Sequence, residues 1–329
     1  MTPANDDRLV SLEDIRAAAE RLRFVVVRTP LLPFGGGVYL KPESLQPTGS
    51  FKIRGAYNAL AQLTAEERAS GVVTHSSGNH AQAIARAARL LGIRALVVMP
   101  DNAPGVKVEG VRADGADILF VGPDNEERVA RAHEIAARDG MNLVPSANDP
   151  RVIEGQGTIG LEIMEQLAEL HVIEAPVVLV PVGLGGLAAG VSTAVKSVSP
   201  GAHVFGVEPA LAADTRDSLQ RGEAVAWPAE QTARTIADGL RGESPAPIPF
   251  AHLRRHLDGI LVVDETEIAA AVAVAQREAR LVLEPSGATP LAALLFHRSE
   301  MPQGPVVVVL SGGNVDPDRF VELIRQPRI

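Results

Sequence analysis

The chain has 329 residues, 46% of them hydrophobic and 22% charged, so it can bury a large core and is not predicted to be disordered. Its formal net charge of −9, without a Lys/Arg run, argues against a nucleic-acid-binding surface. The absence of cysteine excludes disulfides, thiolate chemistry and zinc-cysteine sites. The first ten residues are polar and no unbroken apolar run is long enough to span a membrane, so we expect a cytoplasmic protein.

The first half of the chain is predicted to alternate strands and helices. Ser11 begins a helix over residues 13–22, and short strands follow at 24–27 and 38–40. After Lys52 a helix continues through residues 56–63. Strands at 72–74, 94–99 and 117–121 then alternate with helices at 81–91, 106–113 and 125–138. Continuous Val/Leu strands between helices are typical of a parallel sheet that is buried on both faces.

The second half repeats this rhythm around a less regular middle. After a crossover at 141–150, the pattern predicts helices at 158–167, 187–198, 265–280 and 289–298, strands at 177–182, 203–207, 260–263 and 306–310, and an irregular stretch at 208–256. We therefore expect an α/β protein with two parallel-sheet lobes and an active site in the cleft between them.

Lys52 stands out because lysine is scarce in this chain. There are only four lysines, at 41, 52, 107 and 196, against 27 arginines. A lysine amine can lose its proton and act as nucleophile or base, whereas an arginine stays protonated. Lys52 lies between apolar Phe51 and Ile53, after a Thr-Gly-Ser turn, where partly desolvated walls would lower its pKa. The alternative is an ordinary lysine that extends towards solvent at a helix start.

The segment His75-Ser76-Ser77-Gly78-Asn79-His80 follows a predicted strand and opens a helix. The free N–H groups and positive dipole of a helix N-terminus suit a carboxylate ligand, and Gly78 permits a ligand to approach closely. Alternatively, these Ser and Asn residues are ordinary helix caps. The two histidines have no further ligand motif beside them, so we do not predict a zinc site.

The glycine-rich loop Gly183-Leu184-Gly185-Gly186-Leu187 also lies between a strand and a helix. Its backbone N–H groups would form a nest for a phosphate dianion. However, the spacing from Gly183 to Ala188 also fits a dinucleotide fingerprint, with Glu208 at the end of the next strand as a ribose-binding acid. The loop alone does not separate these two hypotheses. Lys52 and the Ser-Gly-Asn loop favour the first, because neither has a role in a dehydrogenase.

Two carboxylates follow the strand at 203–207. Glu208 and Asp214, with the Ala212 carbonyl between them, offer hard oxygen ligands for Mg²⁺ or Ca²⁺. The alternative is a pair of solvated surface acids. Near the C-terminus, Ser311-Gly312-Gly313-Asn314 follows the last apolar strand, and this motif alone indicates only a turn.

Taken in order, these motifs resemble those of fold-type II pyridoxal-phosphate (PLP) enzymes, in the serine/threonine dehydratase and serine racemase branch. The motifs run from the Lys52 segment to the Ser311 turn, and the resemblance covers nearly the whole chain. It implies a fold similar to the tryptophan synthase β-subunit. A discontinuous large PLP-binding domain would comprise residues 1–70 and 149–329, and a small domain residues 71–148. It also implies a homodimer.

The resemblance assigns a role to each motif. Lys52 would bind the cofactor covalently, and Ser77 would face the substrate Cα from the opposite side. The cofactor would be contacted by Phe51, Asn79, Gly183, Leu184, Gly185, Gly186, Leu187, Glu284, Ser311 and Gly312. The substrate carboxylate would bind Ser76, Ser77, Gly78, Asn79 and His80, and a divalent cation (Mg²⁺, Ca²⁺ or Mn²⁺) would bind Glu208, Ala212 and Asp214. A hydroxyl from Ser311 at the ring nitrogen would leave it largely unprotonated, which favours β-elimination over transamination.

Three positions depart from the pattern of the resembled family. Leu184 replaces a Gly or Asn, Ala147 replaces an aromatic residue or Asn near the cofactor, and Glu154 replaces a small residue. Leu184 bears on the detailed shape of the glycine loop, whereas Ala147 and Glu154 are candidate markers of a changed substrate.

The resemblance predicts an ammonia-lyase that converts L-serine, L-threonine or a related β-hydroxy amino acid to a 2-oxo acid and ammonia. A serine or aspartate racemase on the same scaffold is the first alternative. An NAD-dependent dehydrogenase built on the Gly183 loop is another. A non-catalytic PLP-carrying or ligand-binding protein is a fourth hypothesis, but Lys52, Asn79 and Ser311 are all present and argue against it.

Overall fold

The computed structural model describes residues 9–76, 78–103, 105–122 and 124–325. The helices in these ranges are α1 (Leu12–Leu22), α2 (Lys52–Ala61), α3 (Ala65–Ser70), α4 (Asn79–Leu91), α5 (Gly105–Ala113), α6 (Asn125–Asp139), α7 (Pro150–Glu169), α8 (Gly186–Val198), α9 (Asp214–Arg221), α10 (Ala229–Thr232), α11 (Pro247–His256), α12 (Glu265–Val274), α13 (Pro285–Phe296) and α14 (Pro317–Ile324). The strands are β1 (Leu32–Gly35), β2 (Val38–Pro42), β3 (Val72–His75), β4 (Ala95–Pro100), β5 (Asp117–Val121), β6 (Asn142–Leu143), β7 (Val177–Pro181), β8 (His203–Pro209), β9 (Gly259–Val263) and β10 (Val306–Leu310). None of the helices in this part of the chain combines the length and the apolar character needed to cross a membrane.

The larger sheet has six strands in the order β1-β2-β10-β7-β8-β9. Only the β1–β2 pair is antiparallel; the other pairs are parallel. Alternate residues of β7 and β10 enter two separate cores, as the two-residue period of a strand requires. Val177 and Val306 pack in the core that includes α12 and α13, whereas Val178 and Val307 pack in the core that includes α7 and α8. These strands are therefore apolar throughout because both faces are covered.

The smaller sheet is parallel, with strand order β5-β4-β3-β6. Its strands fall between residues 72 and 143, inside the range predicted for the small domain. Helix α2 lies at the junction of the two lobes, because Ile53 and Leu60 share a core with Val72 of β3 and with Val152 of α7. The predicted domain boundaries themselves stay a prediction.

A buried charge network fixes α2 against α7 and the β2 end. The Arg54 guanidinium is fully buried; its Nε donates to Glu43 Oε2 at 2.7 Å and its Nη1 donates to Glu162 Oε1 at 2.7 Å. Lys41 Nζ, also fully buried, donates to Glu162 Oε2 at 2.6 Å. Arg54 lies two residues after the start of α2, so the network sets the position of the first turn of that helix.

The βα alternation is confirmed, but some predicted elements are wrong. Residues 24–27 form a turn and not a strand: Val25 N and Val26 N donate to Leu22 O, and Phe24 is 95% exposed. The strand at this edge of the larger sheet is β1, which begins at Leu32, after residues 28–31. The predicted irregular stretch 208–256 contains three helices, and α7 begins eight residues before its predicted start. The prolines in these segments suggest breaks in the sequence pattern, whereas proline is favoured at the first position of a helix.

Candidate active site

A cavity of about 380 Å³ lies between the two sheets, at the carboxyl ends of their strands. Its wall includes His75 at the end of β3, Pro181 at the end of β7 and Ser311 after β10. Ligands of open α/β sheets bind at this edge, and the volume is in the range of small-molecule pockets. The sequence-predicted residues in the wall are Phe51, Lys52, Ser76, Gly78, Asn79, His80, Gly183, Leu184, Gly185, Gly186, Leu187, Glu284 and Ser311. Ser77 lies outside the described residues.

Lys52 is the first residue of α2, and its amine reaches the cavity. Its Nζ donates to Ser146 O at 3.1 Å and lies 5.0 Å from the centre of the Phe51 ring. Burial lowers the pKa of Lys52 to about 8, although the negative charge of Glu284 acts to raise it. This agrees with the sequence expectation of a desolvated amine. A lysine with this pKa has an appreciable neutral fraction near physiological pH and can therefore exchange protons.

Glu284 is a buried carboxylate in the same cavity, 2% exposed. Asn79 Nδ2 donates to its Oε1 at 2.5 Å, and Asn79 Oδ1 in turn accepts from Asn314 Nδ2 at 2.8 Å. Among the described residues, Glu284 Oε2 has no hydrogen-bond partner. Burial raises the pKa of Glu284 to about 7, although Lys107 acts in the opposite direction. Gly312 lies directly behind Glu284, because its carbonyl accepts from Glu284 N at 3.2 Å.

The turn that precedes α4 presents helix N–H groups to the cavity. Gly78 is the N-cap of α4, and its own N–H donates to Ser76 Oγ at 3.2 Å. The first turn of a helix has N–H groups without intrahelical partners, so a carboxylate fits here. His80 is different: its Nε2 contacts Val144 O at 3.1 Å, and burial lowers its pKa to about 3. We infer that its imidazole is a neutral part of the wall and does not supply positive charge to a carboxylate.

The glycine-rich segment from Gly183 to Leu187 comprises the turn after β7 and the first two residues of α8, and it borders the opposite side of the cavity. Gly185 adopts φ +91°, a left-handed conformation that favours glycine. A Cβ on Gly186 would lie 3.1 Å from the Cα of Ala147, so the loop and the crossover segment pack backbone to backbone. The N-terminus of α8 is thus available to an anion. Leu184 is 41% exposed at the rim.

The three departures from the family pattern separate in space. Leu184 and Ala147 both line the cavity. Glu154 lies elsewhere, between α7 and α2, where it accepts from Asn58 Nδ2 and Gln62 Nε2, each at 3.0 Å. A structural role for Glu154 therefore explains its presence, and only Leu184 and Ala147 are placed to influence a ligand.

Glu208 and Asp214 are buried, so they are not the solvated surface acids considered as the alternative. Glu208 Oε1 and Oε2 accept from Thr215 N at 3.0 Å and Arg216 N at 2.9 Å. Burial raises the pKa of Glu208 to about 8, together with the charge of Asp214, and burial raises the pKa of Asp214 to about 7. Asp214 Oδ2 has no hydrogen-bond partner among the described residues. Nor do those residues contain a cluster of three or more His, Cys, Asp or Glu side chains suited to a metal.

The structure also shows wall residues that the sequence interpretation missed. Lys107 on α5 donates from Nζ to Asp238 Oδ2 at 2.5 Å, across the cleft. Ser286 Oγ accepts from Gly239 N at 2.8 Å, which fixes the Asp238 turn against α13. The scarcity of lysine could have identified Lys107. Asp238, within the stretch predicted to be irregular, carried no comparable signal.

The fold is α/β, and its cavity brings together a lysine amine of lowered pKa and the N-termini of α4 and α8. Residues 22–312 match the model of the family described as pyridoxal-phosphate dependent enzyme. The chain is 42% identical to the L-threonine ammonia-lyase of Thermotoga maritima, over 97% of this chain and 79% of that protein. It is 34% identical to the serine racemase of Schizosaccharomyces pombe, over 97% of this chain and 98% of that protein.

A solved structure agrees with these two relatives. The crystal structure of the T.th. threonine deaminase superposes with a TM-score of 0.87 at 42% identity, covering 93% of this chain and 99% of that one. The chain belongs to the family of PLP-dependent enzymes, and it has the fold that the sequence predicted. The dinucleotide hypothesis is therefore wrong. Its proposed ribose acid, Glu208, is instead held by the first amides of α9.

The residues of the cavity fit pyridoxal phosphate. An amine of lowered pKa is available for covalent attachment, the N-terminus of α8 suits a phosphate, and Ser311 supplies a hydroxyl. Glu284 Oε2 is a buried acceptor without a donor among the described residues. Buried polar atoms are normally hydrogen-bonded, so a ligand in the cavity could supply the missing donor.

Proposed function

We propose that the protein catalyses the PLP-dependent β-elimination of water from a β-hydroxy amino acid, giving a 2-oxo acid and ammonia. The observation that carries this proposal is the position of Lys52. Its amine, with a pKa lowered to about 8, shares one cavity with the α4 and α8 N-termini. The threonine ammonia-lyase and threonine deaminase reported above support the choice of reaction.

In this proposal the two helix N-termini hold the two anionic groups. The amides of Gly183–Leu187 bind the cofactor phosphate, while Asn79, Ser311 and Phe51 contact its ring. The turn at 76–80 binds the substrate carboxylate. When bound, the cofactor withdraws electrons from the substrate Cα. Lys52 is then placed to accept the Cα proton, and the apolar walls at Phe51 and Ala147 keep bulk water from the reacting atoms.

The first prediction concerns the reaction itself. The purified holoenzyme should release a 2-oxo acid and ammonia in equal amounts from at least one of L-serine, L-threonine and 3-hydroxyaspartate. The two products can be measured separately, by a coupled dehydrogenase assay and by ammonia determination. No 2-oxo acid from any member of the panel, with cofactor loading shown by visible absorbance, would contradict the proposed elimination.

A racemase is the second candidate, supported by the similarity to the serine racemase of S. pombe. That function needs an acid/base opposite Lys52, which we propose is Ser77. Chiral chromatography of the same reactions distinguishes the two functions, because only a racemase forms the opposite enantiomer of serine or aspartate. The prediction that the protein is a cytoplasmic homodimer belongs to this proposal too, and sedimentation would measure the oligomeric state.

We further propose that Glu208, the Ala212 carbonyl and Asp214 hold a divalent cation, Mg²⁺ in the first instance and otherwise Ca²⁺ or Mn²⁺. The support is the burial of two mutually repelling carboxylates and the unpartnered Asp214 Oδ2 among the described residues. A cation would neutralise this pair, and oxygen ligands are the ones it prefers. These residues are not among those of the cavity wall, so the ion would be structural or activating and take no part in bond breaking.

The second prediction follows from this cation site. A chelator should lower the melting temperature and the activity, and Mg²⁺ should restore both, because an ion at a hundredfold excess over its Kd stabilises the folded state by about 2.7 kcal/mol. Glu208→Gln should abolish the response to Mg²⁺. Glu223→Gln, at an exposed acid further along the chain, is the matched control and should respond like the wild type. A melting curve that neither chelator nor Mg²⁺ changes would contradict the site.

A further inference from the structure

Lys107 occupies an unusual place in the cavity wall. It is carried by α5 of the small lobe, is 5% exposed, and pairs with Asp238 of the large lobe at 2.5 Å. The same Nζ lies 3.9 Å from Glu284 Oε2. One buried ammonium therefore lies between two carboxylates of the opposite lobe.

The two carboxylates are not equivalent. Asp238 is 36% exposed, so water can solvate its charge, whereas Glu284 is 2% exposed. Glu284 Oε1 accepts from Asn79, but Oε2 has no hydrogen-bond partner among the described residues. A buried carboxylate of this kind stays ionised only if a cation is near. Lys107 is such a cation, and the direct hydrogen bond to Asp238 is what fixes its position.

We propose that Lys107 is a positioning residue that favours the negatively charged form of Glu284 beside Lys52, and that Asp238 sets the strength of this effect by competing for the same ammonium. Lys107 would affect the reaction by changing the charge of Glu284. A negative Glu284 favours the protonated form of Lys52, so it strengthens Lys52 as an acceptor of the Cα proton. When Glu284 is neutral, that assistance is lost.

Other titratable and charged groups face this part of the cavity. Burial lowers the pKa of His75 to about 4 and of His80 to about 3, so both are neutral near pH 7. Arg128 is a charged side chain of the cavity wall, and the charge of Arg241 acts on Lys107. Burial also lowers the pKa of Lys52 to about 8, whereas burial raises the pKa of Glu284 to about 7, so Lys52 is the group whose charge is most closely linked to that of Glu284.

The arrangement predicts shifts of opposite sign for two substitutions in one ion pair. Lys107→Met removes the cation beside Glu284 and should raise the pKa of Glu284 by about one unit or more. Asp238→Asn removes the competitor and leaves Lys107 free to approach Glu284, so it should lower that pKa. Lys107→Arg, which keeps the charge, should stay closest to the wild type.

The experiment reads Glu284 directly and then through the reaction. Holoenzyme labelled with ¹³C at the glutamate carboxyl carbon would be titrated by NMR, with Glu284→Gln used to assign the signal. The acid limb of the kcat/KM profile should move in the same direction as the Glu284 titration in each variant. The kinetic measurement rests on the proposed function, whereas the NMR titration does not. A failure of the proposed function is therefore distinguishable from a failure of the Lys107 proposal.

A lysine outside the cleft provides the control. Lys196 forms an ion pair with Asp258 at 2.7 Å on the large lobe, and Lys196→Met should leave both the Glu284 titration and the pH profile unchanged. Lower melting temperatures for Lys107→Met and Asp238→Asn with an unshifted Glu284 titration would show that the ion pair only holds the lobes together. Shifts of the same sign in both variants would also overturn the proposal.

Discussion

Replacing Lys52 by alanine should reduce kcat for β-elimination by about 10³-fold or more, because the attachment point of the cofactor and the proposed base are lost together. The structure supports this magnitude, since the Lys52 amine is the one whose burial lowers the pKa to about 8 within the cavity. Steady-state release of the 2-oxo acid, measured at saturating cofactor, checks the prediction.

Two controls make the Lys52 result specific. Lys196→Ala, at a lysine paired with Asp258 outside the cavity, should retain activity. Borohydride treatment of the wild-type protein should leave a pyridoxyl group on the peptide that contains Lys52. A label on Lys107 or Lys196, or an active Lys52→Ala variant, would contradict the assignment.

Replacing Arg54 by methionine should cost about 3–5 kcal/mol of unfolding free energy, the largest stability effect that we expect from one substitution in this chain. The guanidinium is fully buried and contacts both Glu43 and Glu162. Its removal leaves the fully buried Glu43 without its main counter-charge. Urea-induced unfolding, followed by circular dichroism, measures the loss.

The pH dependence of this loss identifies its cause. Burial alone would raise the pKa of Glu43, but Arg54, with smaller contributions from Lys41 and the Thr29 hydroxyl, outweighs burial and holds the pKa below its ordinary value. Without Arg54 the pKa of Glu43 rises, so Glu43 becomes protonated in the folded variant as the pH falls and the cost of its buried charge disappears. The difference in unfolding free energy between wild type and variant should therefore shrink towards pH 4. Arg28→Met is the matched control: Arg28 pairs with Glu165 and Glu169 on the surface and should cost about 0–1 kcal/mol. Equal losses in both variants, independent of pH, would contradict a buried-charge origin.

Local sequence patterns predicted the layers of this fold well, because they depend on periodicity. The apolar runs of β7 and β10 indicate strands buried on both faces, and the structure contains them. Proline misled the interpretation at Pro150 and Pro247, which begin helices. The run 24–27 has the composition of a strand, but no strand among the described residues pairs with it. Leu22 O accepts from Val25 N and Val26 N instead, and Gln46 Oε1 accepts from Val27 N.

The site was predictable as far as its motifs are local. Residue type and position next to a predicted secondary-structure boundary identify Lys52, the 76–80 turn and the glycine loop from sequence alone. With Ser77 outside the described residues, the rest of these motifs line one cavity. The Lys107–Asp238 pair joins residues 131 positions apart, and nothing in either local sequence specifies the other partner. The burial of Glu208 was likewise not predictable from the local sequence, because it depends on the packing of α9 over the end of β8.

The strand order of the larger sheet has a consequence for how the protein is made. Strand β10 lies between β2 and β7, so the last strand of the described chain occupies the middle of the sheet. A growing polypeptide therefore emerges from the ribosome with β2 and β7 both present and no direct pairing between them. The floor of the cavity has the same dependence, because Phe51 N donates to Ser311 O at 3.0 Å. The segment that bears Lys52 therefore acquires this neighbour only after Ser311 has been translated, long after Lys52 itself.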